Sequence, residues 1–260
     1  MGATGSRPPK AIGSLEDAND RISWISGYET EADVEAASRQ LVEYFGLPSF
    51  VFSALLRNGE RESYRYLVGC EPEWCFRYNQ NKWYAIDPFI EYALKNTSPV
   101  LASDIALKTP GQERLMAEAA EHGFRSGIVV PAHSGSAIRI GILYLGTSEG
   151  PERARESFRK HRNLMRAFAL ELLEWWDRKL REAGLESLDL DELDVDLLRK
   201  AQERATAEEA ARELGVTLSR VKARYERLAR KLEVPNKRSA VEKAVALGLI
   251  GGQRWPEARP

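Results

Sequence analysis

Apolar residues recur along this 260-residue chain in two periods, and the change of period marks where the secondary structure changes. Three- and four-residue spacing predicts helices over Glu31–Tyr44, Gly111–His122 and Glu152–Glu182, the second closed by Gly123. Runs rich in β-branched and aromatic residues predict strands over Phe50–Leu56, Ser63–Cys70, Gly127–Ala132 and Ala137–Leu145. Arg57-Asn58-Gly59-Glu60 joins the first pair through an Asn-Gly dipeptide that favours a hairpin, and His133-Ser134-Gly135-Ser136 joins the second. Helices and strands alternate irregularly, which predicts an α+β antiparallel sheet flanked by helices, an α-β-α sandwich.

Beyond Gly184 the pattern is wholly helical. Leu193, Leu197, Leu198 and Ala201 share one face; Thr206-Ala-Glu-Glu209 is a capping box opening a short helix that stops at Gly215. Thr217 is placed to cap the next helix, where Val221, Tyr225, Leu228 and Leu232 form one apolar stripe. Ser239-Ala-Val-Glu242 reads as a further capping box before Val241, Ala244, Val245 and Leu249, giving a four-helix unit. The expected organisation is a tail over 1–12, a first domain over 13–183, a linker over 184–190, a helical domain over 191–252 and a tail over 253–260.

With 43% hydrophobic and 30% charged residues, the composition excludes wholesale disorder, and no apolar run is long enough to cross a bilayer. The N-terminus carries no hydrophobic segment of the secretory kind, so the expected compartment is the cytoplasm and no membrane partner is expected. Cys70 and Cys75 are the only thiols, and the three histidines lack zinc-ligand spacing, so neither a metal nor another cofactor is expected. The net charge of -1 conceals a segregation. Ten acids face four bases over Leu185–Glu213, whereas eight bases face two acids over Leu218–Arg238. Opposite the apolar stripe of that basic helix lie Ser219, Ala223, Glu226 and Arg230, flanked by Arg220, Lys222 and Arg227, a surface suited to a major groove with Thr217 at its start.

The run Leu214–Val234, with Asn236, Ala240-Val241 and Gly248-Leu-Ile250, resembles the LuxR-type helix-turn-helix of bacterial transcription regulators over about sixty residues. That family has glutamate where Asp194 stands and glycine where Arg204 stands, while its leucine is present as Leu198. Upstream, Trp74, Tyr78 four residues on, and Asp87-Pro88 nine further resemble the ligand pocket of the family's quorum-sensing branch. His122-Gly-Phe-Arg-Ser-Gly127-Ile-Val-Val-Pro131 and Ile140-Gly-Ile-Leu-Tyr-Leu145 match its later strand motifs. The residues alone also allow a plain helix with packed aromatics and an Asp-Pro turn.

The resemblance implies a regulator that binds a small diffusible signal, an N-acyl or aryl homoserine lactone, with Trp74 donating to the lactone carbonyl, Asp87 accepting the amide N–H and Tyr78 walling the acyl side. Cys70, Ala102 and Tyr144 depart from the usual pattern, where a tyrosine, a tryptophan and a small hydroxyl residue are common, and Gly127 belongs to the same ligand-binding set. The altered positions imply a reshaped cavity; the alternative is a ligand-independent regulator or a sequestering partner with a degenerate pocket. An enzyme is not expected: Ser134 and Ser136 beside His133 form no Gly-x-Ser-x-Gly elbow, and Asp87 with Tyr78 has no oxyanion hole or metal. A homodimer on palindromic double-stranded DNA is expected, because Phe158, Met165, Phe168, Leu172, Trp175 and Trp176 make the long helix too apolar for one thin sheet to cover.

Overall fold

The computed structural model describes residues 11–58, 61–69, 71–133 and 139–251. Backbone contacts divide it into two compact units, with the division between Trp175 and Trp176. Residues 1–10 of the tail expected over 1–12, the tail over 253–260, the Gly59-Glu60 and Ser134-Gly135-Ser136 connections and Cys70 lie outside the described residues.

The first unit begins with α1 (Leu15–Ser23) and α2 (Glu31–Phe45), followed by β1 (Ser49–Asn58) and β2 (Arg61–Val68). Next come α3 (Pro72–Gln80), α4 (Pro88–Lys95), β3 (Val100–Leu101), α5 (Pro110–Glu121), β4 (Ser126–His133) and β5 (Arg139–Thr147), before the long α6 (Pro151–Ser187). Local chemistry fixes the helix starts. Thr30 and Thr109 accept the Asp33 and Gln112 amides, both at 3.2 Å, and α3, α4 and α5 each open on a proline, which gives up no helical hydrogen bond in the first turn.

The five strands form one antiparallel sheet in the order β2-β1-β5-β4-β3, with Val51 opposite Tyr144 and Tyr144 opposite Val129. The short β3 was not expected from the sequence, since two residues carry no periodicity. Alternation along the strands separates two faces. Phe50, Phe52, Ile128, Val130, Leu143 and Leu145 are buried on one, and Val129, Ile140 and Ile142 on the other, where they join Phe89 and Ala93 of α4 in a core cluster.

The apolar stripe of α6 is internal, which corrects the argument for an uncovered dimer face. Met165, Phe168, Leu172 and Trp175 are buried and Phe158 is half-buried, because α2 packs along this part of the helix; Trp176 is buried too. Phe45 and Phe168 stand 6.3 Å apart, Trp175 donates its indole N–H to the Tyr28 carbonyl at 2.6 Å, and the Ser157 hydroxyl donates to the Phe45 carbonyl at 2.7 Å. α6 also extends to Ser187, so part of the segment expected as linker is helical.

The second unit contains α7 (Glu192–Gln202), α8 (Ala207–Glu213), α9 (Leu218–Lys231) and α10 (Lys237–Leu247). Leu197, Leu198, Ala210, Val221, Leu228, Ala244 and Leu249 are fully buried and form its core. The capping box at Thr206 and Glu209 and the cap at Thr217 are present. The box expected at Ser239 is not: Asn236 caps α10 and accepts the Ser239 amide at 2.9 Å, because asparagine three residues earlier supplies the better-placed acceptor.

Candidate functional site

Two places gather the residues singled out above, one in each unit. In the first unit, α3 carries Trp74 and Tyr78 on one face, and the Asp87-Pro88 step starts α4. Asp87 is that helix's N-cap: one carboxylate oxygen accepts the Phe89 amide at 2.8 Å, and the other accepts the Tyr78 hydroxyl at 2.7 Å. A carboxylate has more acceptor positions than these bonds use, so it can take a further donor. Burial pushes the Asp87 carboxyl above its ordinary value, against the Tyr78 hydroxyl and the Phe89 and Ile90 amides, which pull it down.

Around this pair is a cavity of about 110 Å³, lined among others by Trp74, Tyr78, Asp87, Phe89, Leu115, Met116 and Tyr144. The sheet supplies its floor through Ile142, which lies in the strand motif quoted above, and through Val51 and Ser53, which no motif included. Strand alternation opposite Tyr144 was the available signal. Trp74 is held in an aromatic group, tilted 5.4 Å from Trp83 and 6.2 Å from Phe124 and stacked on His122 at 5.6 Å.

Ala102 and Gly127 do not line this cavity. They line a second one of about 370 Å³, together with Leu101, Ile105, Leu107 and Phe124, and share Phe89, Met116 and Tyr144 as its common wall with the first. The Tyr144 ring lies between Phe124 at 5.1 Å, stacked, and Phe89 at 4.7 Å. Gly127 makes room for it: a Cβ there would stand 2.3 Å from the Leu145 carbonyl oxygen and 2.7 Å from the Tyr144 ring. Burial, and then the Asp87 charge, push the Tyr144 phenol up, so it is a neutral hydroxyl at any ordinary pH.

The candidate catalytic chemistry is tied up otherwise. His133 Nε2 faces the Ala93 and Asn96 carbonyls at 2.9 and 3.1 Å, and Tyr78 and Asp87 bond to each other. Among the described residues no group of three metal-ligating side chains occurs, and no helix is long and apolar enough to cross a membrane.

In the second unit, Leu214, Gly215 and Val216 join α8 to the Thr217 cap of α9, with Gly215 at a φ of 64°. Thr217 accepts the Arg220 amide at 3.3 Å. Ser219, Arg220, Lys222, Ala223, Glu226 and Arg230 are exposed along α9. Among the described residues, Arg220, Lys222 and Arg230 form no ion pair within the chain.

Arg227 differs. With Arg224, which donates at 2.9 Å, it pairs with Asp194, a carboxylate with no exposure at all. Arg224 also reaches Asp191 at 2.5 Å, and Asp191 and Asp194 cap α7 reciprocally. The α7 carboxylates therefore orient the basic helix. Sequence spacing could not reveal this, because the partners lie about thirty positions apart.

A family model described as the autoinducer binding domain matches residues 30–174. The transcriptional activator protein PhzR of Pseudomonas fluorescens is 27% identical over 188 residues, 71% of this chain and 75% of that protein. The transcriptional activator protein AhyR of Aeromonas hydrophila is 28% identical over 196 residues, 70% of this chain and 71% of that one. Among solved structures, Escherichia coli SdiA shares the fold with a TM-score of 0.62 at 18% identity, covering 92% of this chain and 99% of SdiA. The N-acylhomoserine lactone dependent LuxR family factor CepR2 of Burkholderia cenocepacia aligns with a TM-score of 0.52 at 20% identity, over 61% of this chain and 95% of CepR2.

Proposed function

The chain belongs to the autoinducer-binding family of LuxR-type regulators, and from that premise we propose that it is a DNA-binding transcription regulator whose Trp74–Tyr78–Asp87 cavity binds an N-acyl or aryl homoserine lactone. The observation that carries this reading is Asp87: a half-buried carboxylate held by the Tyr78 hydroxyl and the Phe89 amide, facing an apolar cavity. A secondary amide N–H is the neutral donor that such an acceptor suits, and Trp74 beside it offers an indole N–H to a carbonyl. The relatives named transcriptional activators support the output, and the free cations Arg220, Lys222 and Arg230 on α9 support contact with phosphates. α8 and α9 are read as a helix-turn-helix, and a homodimer on a two-fold operator is the assembly that fits such a module.

Thermal melting of the purified chain across a lactone panel tests the ligand. A lactone at 100 times its dissociation constant stabilises the folded state by about 2.7 kcal/mol. Asp87→Ala removes that gain, and a panel that leaves the melting temperature unmoved overturns the sensor reading.

One observation favours a second reading. The Tyr78 hydroxyl already donates to Asp87, and the Tyr144 ring stands against Phe89 at 4.7 Å, so Asp87 has partners within the chain itself. A ligand-independent regulator or sequestering partner would bind DNA equally with and without organic extract, and extracts of the purified protein would carry no small molecule by mass spectrometry.

A further inference from the structure

The side of α6 that turns away from α2 has no role in the reading above. Arg155, Arg159, Arg162, Arg166 and Leu170 are all exposed on it, at i, i+4, i+7, i+11 and i+15. The four arginine positions fall within an arc of about 60° and run along about 16 Å of helix, by ordinary α-helical geometry. Ser157 and Phe168, which meet Phe45 of α2, stand on the opposite side. The outer face of this helix is therefore a ladder of one charge.

Little within the chain balances it. Over residues 151–166 six bases stand against two acids, Glu152 and Glu156. Arg155 takes Glu152 at 2.6 Å, while Glu156 is held by Lys160 at 2.6 Å and reached by Arg153 at 4.0 Å. Among the described residues, Arg159, Arg162 and Arg166 form no ion pair within the chain. The Arg162 guanidinium lies 5.6 Å from the centre of the half-buried Phe158 ring, which gives it a resting place on the helix surface. A merely solvated helix face mixes its signs, as Glu156 and Lys160 do, because like charges one turn apart repel. A row of one sign is what an anionic partner complements.

We propose that the face from Arg155 to Leu170 is a docking surface for an acidic amphipathic helix of another protein, its carboxylates spaced like the arginines and an apolar residue meeting Leu170. Two copies of this chain meeting ladder to ladder would bring like charges together, so a second copy of the same face is a poor occupant. A phosphate backbone suits the cations but offers nothing to Leu170, which is 47% exposed one turn beyond Arg166. A helix with carboxylates and a flanking apolar residue suits both. Each guanidinium takes a carboxylate through two parallel hydrogen bonds. Single exposed pairs contribute little, so the surface works by their number and register.

Fluorescence anisotropy on the full chain tests it with a labelled, alanine-based helical peptide. The peptide carries glutamates at i, i+4, i+7 and i+11 and a leucine one turn beyond each end; its control has the same composition in scrambled order. The ordered peptide is expected to bind the parent about tenfold or more tighter than the scrambled one. The triple change Arg159→Glu, Arg162→Glu and Arg166→Glu weakens the ordered peptide by about tenfold or more. The same peptide with lysines for its glutamates then binds the triple variant more tightly than the parent. Arg159→Gln, Arg162→Gln and Arg166→Gln is the milder triple should the first not fold.

Leu170→Ala separates a protein partner from a general attraction of charge: it is expected to weaken the ordered peptide while leaving the scrambled one unmoved. Ordered and scrambled peptides that bind alike, or an ordered peptide that does not bind, reduce the ladder to a solvated face and overturn the proposal. A DNA duplex that loses as much affinity as the ordered peptide in the triple variant assigns the ladder to nucleic acid, and overturns it too.

Discussion

Replacing Asp194 should loosen the basic helix more than replacing any exposed residue on it. The carboxylate is wholly buried, holds Arg224 at 2.9 Å and Arg227 more closely, and reaches back to the Asp191 amide at 3.3 Å. Removing one member of a buried ion pair leaves its partners uncompensated, at about 3 to 5 kcal/mol. Arg224 retains Asp191 at 2.5 Å, and Arg227 is half-exposed and can turn to water, so the lower end of that range, about 3 kcal/mol, applies to Asp194→Ala. Asp194→Asn keeps volume and one acceptor and should lose about 1 to 3 kcal/mol. Asp194→Glu keeps the charge and adds one methylene to a packed site, at about 1 kcal/mol or more.

The order of stability is therefore parent, Glu, Asn, Ala. Hydrogen exchange read on peptides spanning α7 and α9 reports it locally, and anisotropy with a DNA duplex at fixed salt reports whether affinity falls in the same order. Protection in Asp194→Ala within about 0.5 kcal/mol of the parent would refute the idea that this carboxylate orients α9.

Further outcomes follow from other positions. Arg204 stands at a φ of 64° after α7, a conformation that disfavours a side chain by about 1 to 2 kcal/mol, so Arg204→Gly should raise the unfolding midpoint of this unit; a lower midpoint would show the strain to be absent. Lys222→Ala should lose sequence discrimination, whereas Arg230→Ala should weaken all duplexes and lower the salt slope by about one; identical footprints and slopes for both would remove α9 from the groove. The raised folded value of Asp87 means the native state binds the extra proton, so its contribution is best below the ordinary 3.8 and is lost as pH rises through the folded value. Asp87→Asn should remove that component, so the parent loses stability relative to the variant as pH rises; a difference that is flat with pH would contradict it.

Much of this arrangement was legible in the chain because its signals are local. Thr206 with Glu209 and Thr217 announced their helices, and the strand runs placed β1, β2, β4 and β5 within a few residues. Trp74, Tyr78 and Asp87 do meet at one cavity. What escaped depends on partners far apart in sequence. Tyr144 faces Val51 only through the β1–β5 register, and that pairing makes it a wall between two cavities. Arg227 looked like a free cation because its partner sits on another helix. The apolar stripe of α6 looked uncovered because period alone cannot count the surfaces, α2 among them, that cover it. At α10, Ser239 and Glu242 imitated a capping box that Asn236 pre-empts.

The central claim is that one chain joins an amide-reading cavity to a DNA-reading helix, and DNA affinity with and without ligand tests it most directly. A duplex selected from a random pool is titrated with the parent and with Asp87→Ala, each in the presence and absence of the lactone or amide that best raises the parent's melting temperature. The account predicts that this ligand changes the parent's dissociation constant for the duplex by about fivefold or more, and that the variant shows its ligand-free affinity throughout. A parent that binds the duplex with the same constant whether or not its cavity is occupied would contradict it.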